Sequence, residues 1–248
     1  MNTTVKEKII IQSKCGIRFD DEHGPGRYDF SAQWIARSVE GILSRLGIEQ
    51  LDILLLHRPD PLMETDEVAS VFQQLITDGK VKHFGVSNMH VHQVAYLQSV
   101  IDAPIVAHQL EMSLKNLDWL NESVTAGMSV GADKHFSPGI IEYCRSNNVQ
   151  IQAWGCLAQG LYTGRDLSGQ PQSVIDTANL VVKLAAEYGV PREAMVLAWL
   201  MRHPANIQPV IGTTNTARIK ACSQAGSVHL TREHWYQLYV TSRGERLP

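Results

Sequence analysis

Apolar residues along the chain fall into two alternating rhythms. Short aliphatic and β-branched runs occur at Lys8–Ser13, Leu51–Leu56, Lys82–Val86, Pro104–Gln109, Val149–Trp154 and Gln208–Ile211. Each has the length of a strand and is apolar on both faces, as expected of parallel strands covered by helices on both sides. Between them, apolar positions recur every three or four residues. Ser31 is a predicted N-cap, after which Ile35, Val39, Ile42, Leu43 and Leu46 mark one helix that Gly47 should end. The same rhythm predicts helices over Asp66–Thr77, Val91–Val100, Pro138–Asn147, Ser173–Tyr188 and Arg192–Arg202, and a last one from Thr231 to Arg243.

Strict β/α alternation implies parallel strands joined by right-handed crossovers. An open doubly wound sheet and most of a (β/α)8 barrel, a fold of about 250 residues, both fit that order. No strand is followed by G-x-G-x-x-G or G-x-x-x-x-G-K-[ST], the common phosphate loops of open sheets, which favours the barrel. The first strand begins almost at Met1, so only six units are visible. Asn116–His135, with Gly127, Gly131 and several Ser and Asn, interrupts the pattern and reads as a long loop. It is either a lid over the site or a plain surface insertion.

Composition narrows the classes. The 248 residues are 44% hydrophobic and 19% charged, with a net charge of −3, which excludes disordered and collagen-like chains. With 22 Lys and Arg against 25 Asp and Glu there is no basic excess, so no nucleic-acid partner is expected. Cys15, Cys144, Cys156 and Cys222 are far apart and read as free thiols of a reducing compartment, not as a metal site. The apolar run after MNTTVKEK is too short for a signal peptide, and no run approaches a membrane span. A cytoplasmic protein with no membrane partner is expected.

The strand ends hold the candidate chemistry, because barrel sites form at the C-terminal ends of strands. The first strand runs into Ser13-Lys14-Cys15-Gly16, the second into His57-Arg58-Pro59-Asp60 and the third into Ser87-Asn88. The fourth ends in His108-Gln109-Leu110-Glu111, the fifth in Trp154-Gly155-Cys156-Leu157 and the sixth in Gly212-Thr213-Thr214-Asn215. Lys14 either snorkels to solvent or sits partly desolvated, where it can shift a neighbouring acid. His57 is either a satisfied core histidine or a site residue, and the two at successive strand ends favour the second reading. Ser87-Asn88 can cap the next helix or pair with a ligand amide. Gln109 needs backbone or ligand partners, and Trp154 is a core aromatic or a surface for stacking a planar ring. The hydroxyls after Gly212 precede a helix carrying Arg218, a combination suited to phosphate.

Together, S-K-C-G, L-L-L-H-R-P-D-P, G-V-S-N, Q-L-E, A-W-G-C-L and I-G-T-T-N-T-A-R-I resemble the aldo-keto reductases, and among them the YdhF-like bacterial oxidoreductases. The resemblance spans essentially the whole chain, in order. It implies a (β/α)8 TIM barrel of the aldo-keto reductase type, forming a single domain over residues 1–248 with six of eight βα units present. It also implies NADP(H) lying across the barrel mouth and hydride transfer to a small aldehyde or ketone.

By the same resemblance, Lys14 lowers the pKa of a catalytic tyrosine and His57 orients the substrate carbonyl. Ser87, Asn88 and Gln109 hold the nicotinamide carboxamide, and Trp154 stacks on its ring. Gly155, Leu157 and Gln159 wrap the pyrophosphate, while Gly212, Thr213 and Arg218 meet the adenosine 2′-phosphate.

Three departures stand out. Gly212 takes the place of a family lysine, Ala221-Cys222 replaces Glu-Asn, and the D-x-A-x-x-Y motif of the catalytic Asp and Tyr is absent. Tyr28 and Asp29 do not match that motif and read as a surface turn. The expectation is a reductase lineage in a shortened or fragmentary chain of doubtful activity. The alternatives are a catalytically silent NADP(H)-binding module, of the kind the family's potassium-channel β-subunits suggest, and a non-functional fragment.

Overall fold

The computed structural model describes residues 8–131 and 133–248, with the backbone alone at Val130. The chain divides into two compact units, Met1–His108 with Ser146–Val149 and Gln109–Arg145 with Gln150–Pro248. The first unit holds β1 (Gln12–Cys15), the antiparallel pair β2 (Ile17–Arg18) and β3 (Arg27–Tyr28), and helix α1 (Ala32–Leu46). It continues through β4 (Leu51–Leu56), α2 (Thr65–Thr77), β5 (Val81–Ser87) and α3 (Val91–Val100) to β6 (Ile105–Glu111), which ends in the second unit. The second unit adds α4 (Asp118–Val124), α5 (Ile140–Ser146), β7 (Gln150–Trp154), α6 (Gln172–Glu187), α7 (Arg192–Met201), β8 (Gln208–Pro209), α8 (Thr216–Ser223) and α9 (Arg232–Arg243). The main sheet has six strands in chain order, β1-β4-β5-β6-β7-β8. The pairs β1/β4, β4/β5 and β7/β8 are parallel, as the alternation predicts.

In the first unit, β4 buries Leu51, Leu54, Leu55 and Leu56 completely, and α1 covers the sheet with Ile35, Val39, Ile42 and Leu43. Ser31 caps that helix by accepting from the Trp34 N–H, and Gly47 ends it at φ +61°, a conformation glycine enters without a Cβ penalty. Phe72 of α2 stacks on Phe84 of β5 with ring centroids 3.7 Å apart. In the second unit, α7 is buried at every position from Ala194 to Leu200, so it is a core helix rather than an amphipathic one. Trp199 and Trp235 exchange indole N–H bonds with each other's backbone carbonyls at 3.1 and 3.0 Å.

Two expectations are corrected. β1 starts at Gln12, not Lys8, and Ile9 and Ile10 are exposed. The Ile11 N–H is taken by the Asp52 carboxylate at 2.9 Å, while the Ile11 carbonyl accepts from the backbone of Asp52 and Ile53, so the ladder begins one residue later. The Asn116–His135 stretch is not one long loop: it holds α4 and a single turn of 3-10 helix at Ser129–Gly131, Ala132 lying outside the described residues. Trp119 of α4 is fully buried, and Asn121 accepts from the Tyr239 hydroxyl at 2.7 Å. That half of the stretch is core, not lid.

Candidate active site

In the first unit, the parallel register sets Lys14 of β1 opposite Leu55 of β4 and Cys15 opposite Leu56. Lys14 therefore lies within its strand rather than after it. His57 follows β4 directly, and its backbone N–H donates to the Cys15 carbonyl at 3.0 Å. Two adjacent strands thus deliver Lys14 and His57 to the same end of the sheet. Both side chains are half-buried and line one cleft of about 1140 Å³. Burial lowers the pKa of the Lys14 ammonium. Burial lowers His57 as well, helped by the positive charges of Lys14 and Arg58. At neutral pH His57 is therefore an uncharged imidazole, able to donate one hydrogen bond to a carbonyl oxygen.

β5 ends at buried Ser87, and Asn88 adopts a left-handed φ of +57°, which asparagine tolerates better than most residues. The Asn88 amide donates to the Ser87 hydroxyl at 2.9 Å and to the His57 carbonyl at 3.3 Å, tying the ends of β4 and β5 together. Neither residue caps α3. That role falls to His90, whose N–H donates to the Gln93 side chain at 2.8 Å in a reciprocal capping box. Behind this turn, fully buried His108 accepts from the Met89 N–H at 3.3 Å, and burial pushes its pKa down to about 3. Tyr28 is exposed in the short hairpin, while Asp29 accepts from the Ser31 N–H and hydroxyl and from Arg18. Asp29 is thus committed to the start of α1.

In the second unit, buried Gln109 donates from its amide to Gln152 at 3.0 Å, and Gln152 donates in turn to Gln208 at 3.1 Å. Trp154 ends β7 half-buried, its carbonyl accepting from the Met112 N–H at 3.3 Å. The chain then turns through left-handed Gly155, Ala158, Gln159 and Gly160, at φ +66°, +46°, +54° and +82°. Such conformations cost non-glycine residues about 1–3 kcal/mol and gather at functional sites. Several N–H groups of this turn are spent within it: Ala158 donates to the Gly155 carbonyl at 2.8 Å, Gly160 to Leu157 at 2.9 Å and Leu161 to Ala158 at 3.1 Å. Half-buried Leu157 precedes the 3-10 turn, and exposed Gln159 accepts from Arg165 at 3.3 Å.

Past β8, a side chain at Gly212 would meet open space, and Arg218 is exposed with no ion pair among the described residues. One expectation fails here. The N–H groups opening α8 are not free for phosphate, because the Asn215 side chain accepts from Ala217 at 3.0 Å and Arg218 at 3.1 Å. Thr213 in turn accepts from the Asn215 N–H at 3.2 Å. The Arg218 guanidinium and the exposed Thr214 hydroxyl remain as groups able to meet an anion there.

The sequence alone assigned no role to Gln152, Gln208 or His108 and gave no sign of the left-handed backbone at Ala158–Gly160. For the first, the available signal was a glutamine between the apolar Ile151 and Ala153, since buried amides require partners. All four cysteines are buried thiols, with Cys15 and Cys144 pushed up to about 12 and Cys156 to about 11. Protonated thiols of this kind are poor nucleophiles. No group of three metal-ligating side chains occurs among the described residues, and no helix is long and apolar enough to cross a membrane.

The 6-dehydroglucose reductase of Agrobacterium fabrum is 34% identical over 98% of this chain and 75% of its own length. The oxidoreductase YdhF of Escherichia coli is 32% identical over 98% of the chain and 76% of its own. A crystal structure of an aldo/keto reductase from Klebsiella pneumoniae, in complex with NADP and acetate, superposes with a TM-score of 0.70. That match is 19% identical and covers 95% of this chain and 70% of that one. The aldo/keto reductase family pattern itself matches residues 2–239, and the chain belongs to that family.

Proposed function

We propose that this protein binds NADP(H) and belongs to a line of enzymes that reduce a small aldehyde or ketone to its alcohol. The observation that carries the reading is the pair Lys14 and His57, half-buried at the ends of adjacent parallel strands on one cleft. The donor set also suits the cofactor. Ser87, Asn88 and Gln109 match a carboxamide, Trp154 a planar ring, and the left-handed loop through Gly155, Leu157 and Gln159 a pyrophosphate. Gly212, Thr213 and Arg218 match a 2′-phosphate. When bound, NADPH supplies the hydride. Neutral His57 orients the carbonyl through its N–H. Lys14 holds positive charge beside the position where an alkoxide needs a proton, and its desolvation strengthens that field.

The 248 residues contain no D-x-A-x-x-Y run, so neither side chain of that motif is available as proton donor. We take the six units as the counterparts of the last six in an eight-unit barrel that forms one domain. The relatives' coverage of 75% and 76% of their own length is the share such a set would occupy. On this reading the 248-residue polypeptide alone binds cofactor but turns over slowly, since losing a general acid removes roughly 10²–10⁴-fold in rate. The missing motif equally favours a silent NADP(H)-binding module.

The test assays 4-nitrobenzaldehyde reduction by this chain and by a version extended with two βα units of a relative. Turnover appearing in the extended chain and lost with Lys14→Met supports the reductase. Cofactor binding without turnover in either supports the silent module. Equal turnover in both, unaffected by Lys14→Met, overturns the catalytic assignment.

A further inference from the structure

A cavity of about 270 Å³ opens in the second unit between α4, the turn after α7 and the first turns of α9. It shares no lining residue with the cleft of Lys14 and His57. Its aromatic walls are fixed from behind. Trp235 stacks on Trp199 with ring centroids 5.4 Å apart, and its indole N–H is committed to the Trp199 carbonyl. Tyr239 is buried, with its hydroxyl committed to Asn121. Tyr236 stands edge-on to Trp235 at 5.0 Å. Three further side chains bring donors, and no Asp or Glu lines the cavity. Arg202 gives its Nε–H to the Leu230 carbonyl at 3.0 Å, which anchors a guanidinium that has no ion pair among the described residues. Arg232 lies over the Tyr236 ring at 5.2 Å, also without an ion pair there. It stands in the first turn of α9, where the helix end is already positive; Glu233 of the same turn lines no part of the cavity. Half-buried His203 accepts from the Ala205 N–H through Nδ1, so its neutral ring carries the proton on Nε2. Burial above all, with Arg145, pushes this imidazole down to about 4 against the pull of Glu142, so it is uncharged at neutral pH.

We propose that this cavity binds a planar aromatic carboxylate of one or two rings, with the ring against Trp235 and Tyr236 and the carboxylate met by Arg202, Arg232 and the His203 N–H. Two guanidinium groups on one small cavity without a carboxylate favour an anion, and arginine pairs with a carboxylate through parallel N–H bonds. Aromatic faces take a planar ring in stacked or edge-on contact. Ligand pockets usually span about 300–1,000 Å³, so a volume of about 270 Å³ suits a small acid rather than a dinucleotide. Walls already held in place lower the ordering that binding requires. The site is independent of the NADP(H) reading above.

The experiment is calorimetric titration of the full chain with 2-naphthoate and with its neutral counterpart 2-naphthamide. The expected result is saturable binding of 2-naphthoate, about tenfold or more tighter than 2-naphthamide, the order of one charged hydrogen bond. Arg232→Gln, at an exposed position, should weaken 2-naphthoate about tenfold and leave 2-naphthamide unchanged, with the urea midpoint of the unligated protein unmoved. Arg202→Gln should act in the same direction, and Tyr236→Leu should weaken both ligands. Equal affinity for acid and amide would overturn the proposal, as would an absence of saturable 2-naphthoate binding. Binding that is lost in Lys14→Met but unchanged in both arginine variants would place the acid in the other cleft and overturn it too.

Discussion

Burial acts on His57, Lys14 and His108 in the same direction, but only His108 is sealed from water. Its folded-state pKa of about 3 lies below the unfolded value of about 6.5. As pH falls through about 6.5 the unfolded chain takes up a proton that the folded chain refuses. Stability is therefore fully present above about pH 6.5 and is lost toward about pH 3, with a slope approaching 1.4 kcal/mol per pH unit. His203, pushed down to about 4 mainly by burial, adds a second slope of the same sign. His108→Gln, which keeps an acceptor for the Met89 N–H, should flatten the pH dependence by about one histidine's share. Urea unfolding at several pH values between about 6.5 and 4 checks this, and an unchanged slope would deny that His108 is held neutral. A second residue-scale expectation concerns Gly212, where a side chain meets open space. Gly212→Lys should tighten NADPH binding by about 1 kcal/mol or more through one added charge near the 2′-phosphate, leaving NADH unaffected. Parallel fluorescence titrations with the two cofactors read it directly. The sequence pointed to Lys14 and His57 because polar residues at apolar strand ends stand out, and to Arg218 because it follows hydroxyls at a helix start. It concealed His108, since a buried neutral imidazole and an exposed one carry the same letter.

At the scale of elements, apolar rhythm located Leu51–Leu56 and Val91–Val100 to the residue. It misplaced β1 because the Ile9-Ile10-Ile11 run is strongly apolar, whereas the ladder depends on where Asp52 and Ile53 find their partners. It missed α4 because Asp-Trp-Leu-Asn-Glu-Ser-Val is short and polar, and the tertiary burial of Trp119 outweighs its weak propensity. The capping reading of Ser87-Asn88 failed because a helix can be capped two residues later by His90. The close pairing of β4, β5 and β6 predicts its own sensitive position. A Cβ at Gly85 would touch the Leu55 side chain and come within 2.6 Å of the Ala107 carbonyl, a backbone atom that cannot swing aside. Gly85→Ala should therefore destabilise the protein by about 1–3 kcal/mol, seen as a lower urea midpoint with an unchanged slope. An Asn215→Ala variant, which removes the cap of α8, should cost about 1 kcal/mol by the same measurement.

Over the whole chain, the catalytic candidates Lys14 and His57 belong to one compact unit. Every cofactor candidate except Ser87 and Asn88 belongs to the other. Alternating strands and helices made the parallel sheet legible, and the order of strand-end motifs made the family legible. What the sequence withheld was the state of the groups: which amides are already spent, which backbone turns are left-handed and which imidazoles are uncharged. On the function proposed above, the Arg218 guanidinium pairs with the 2′-phosphate of NADP(H). The most direct test is the affinity of the wild-type chain for NADPH and NADH, measured by cofactor fluorescence beside Arg218→Ala. NADPH should be favoured by roughly 1.5–3 kcal/mol, the range of a charged hydrogen bond, with that preference lost in the variant. Equal affinity of the wild-type chain for both cofactors would contradict it.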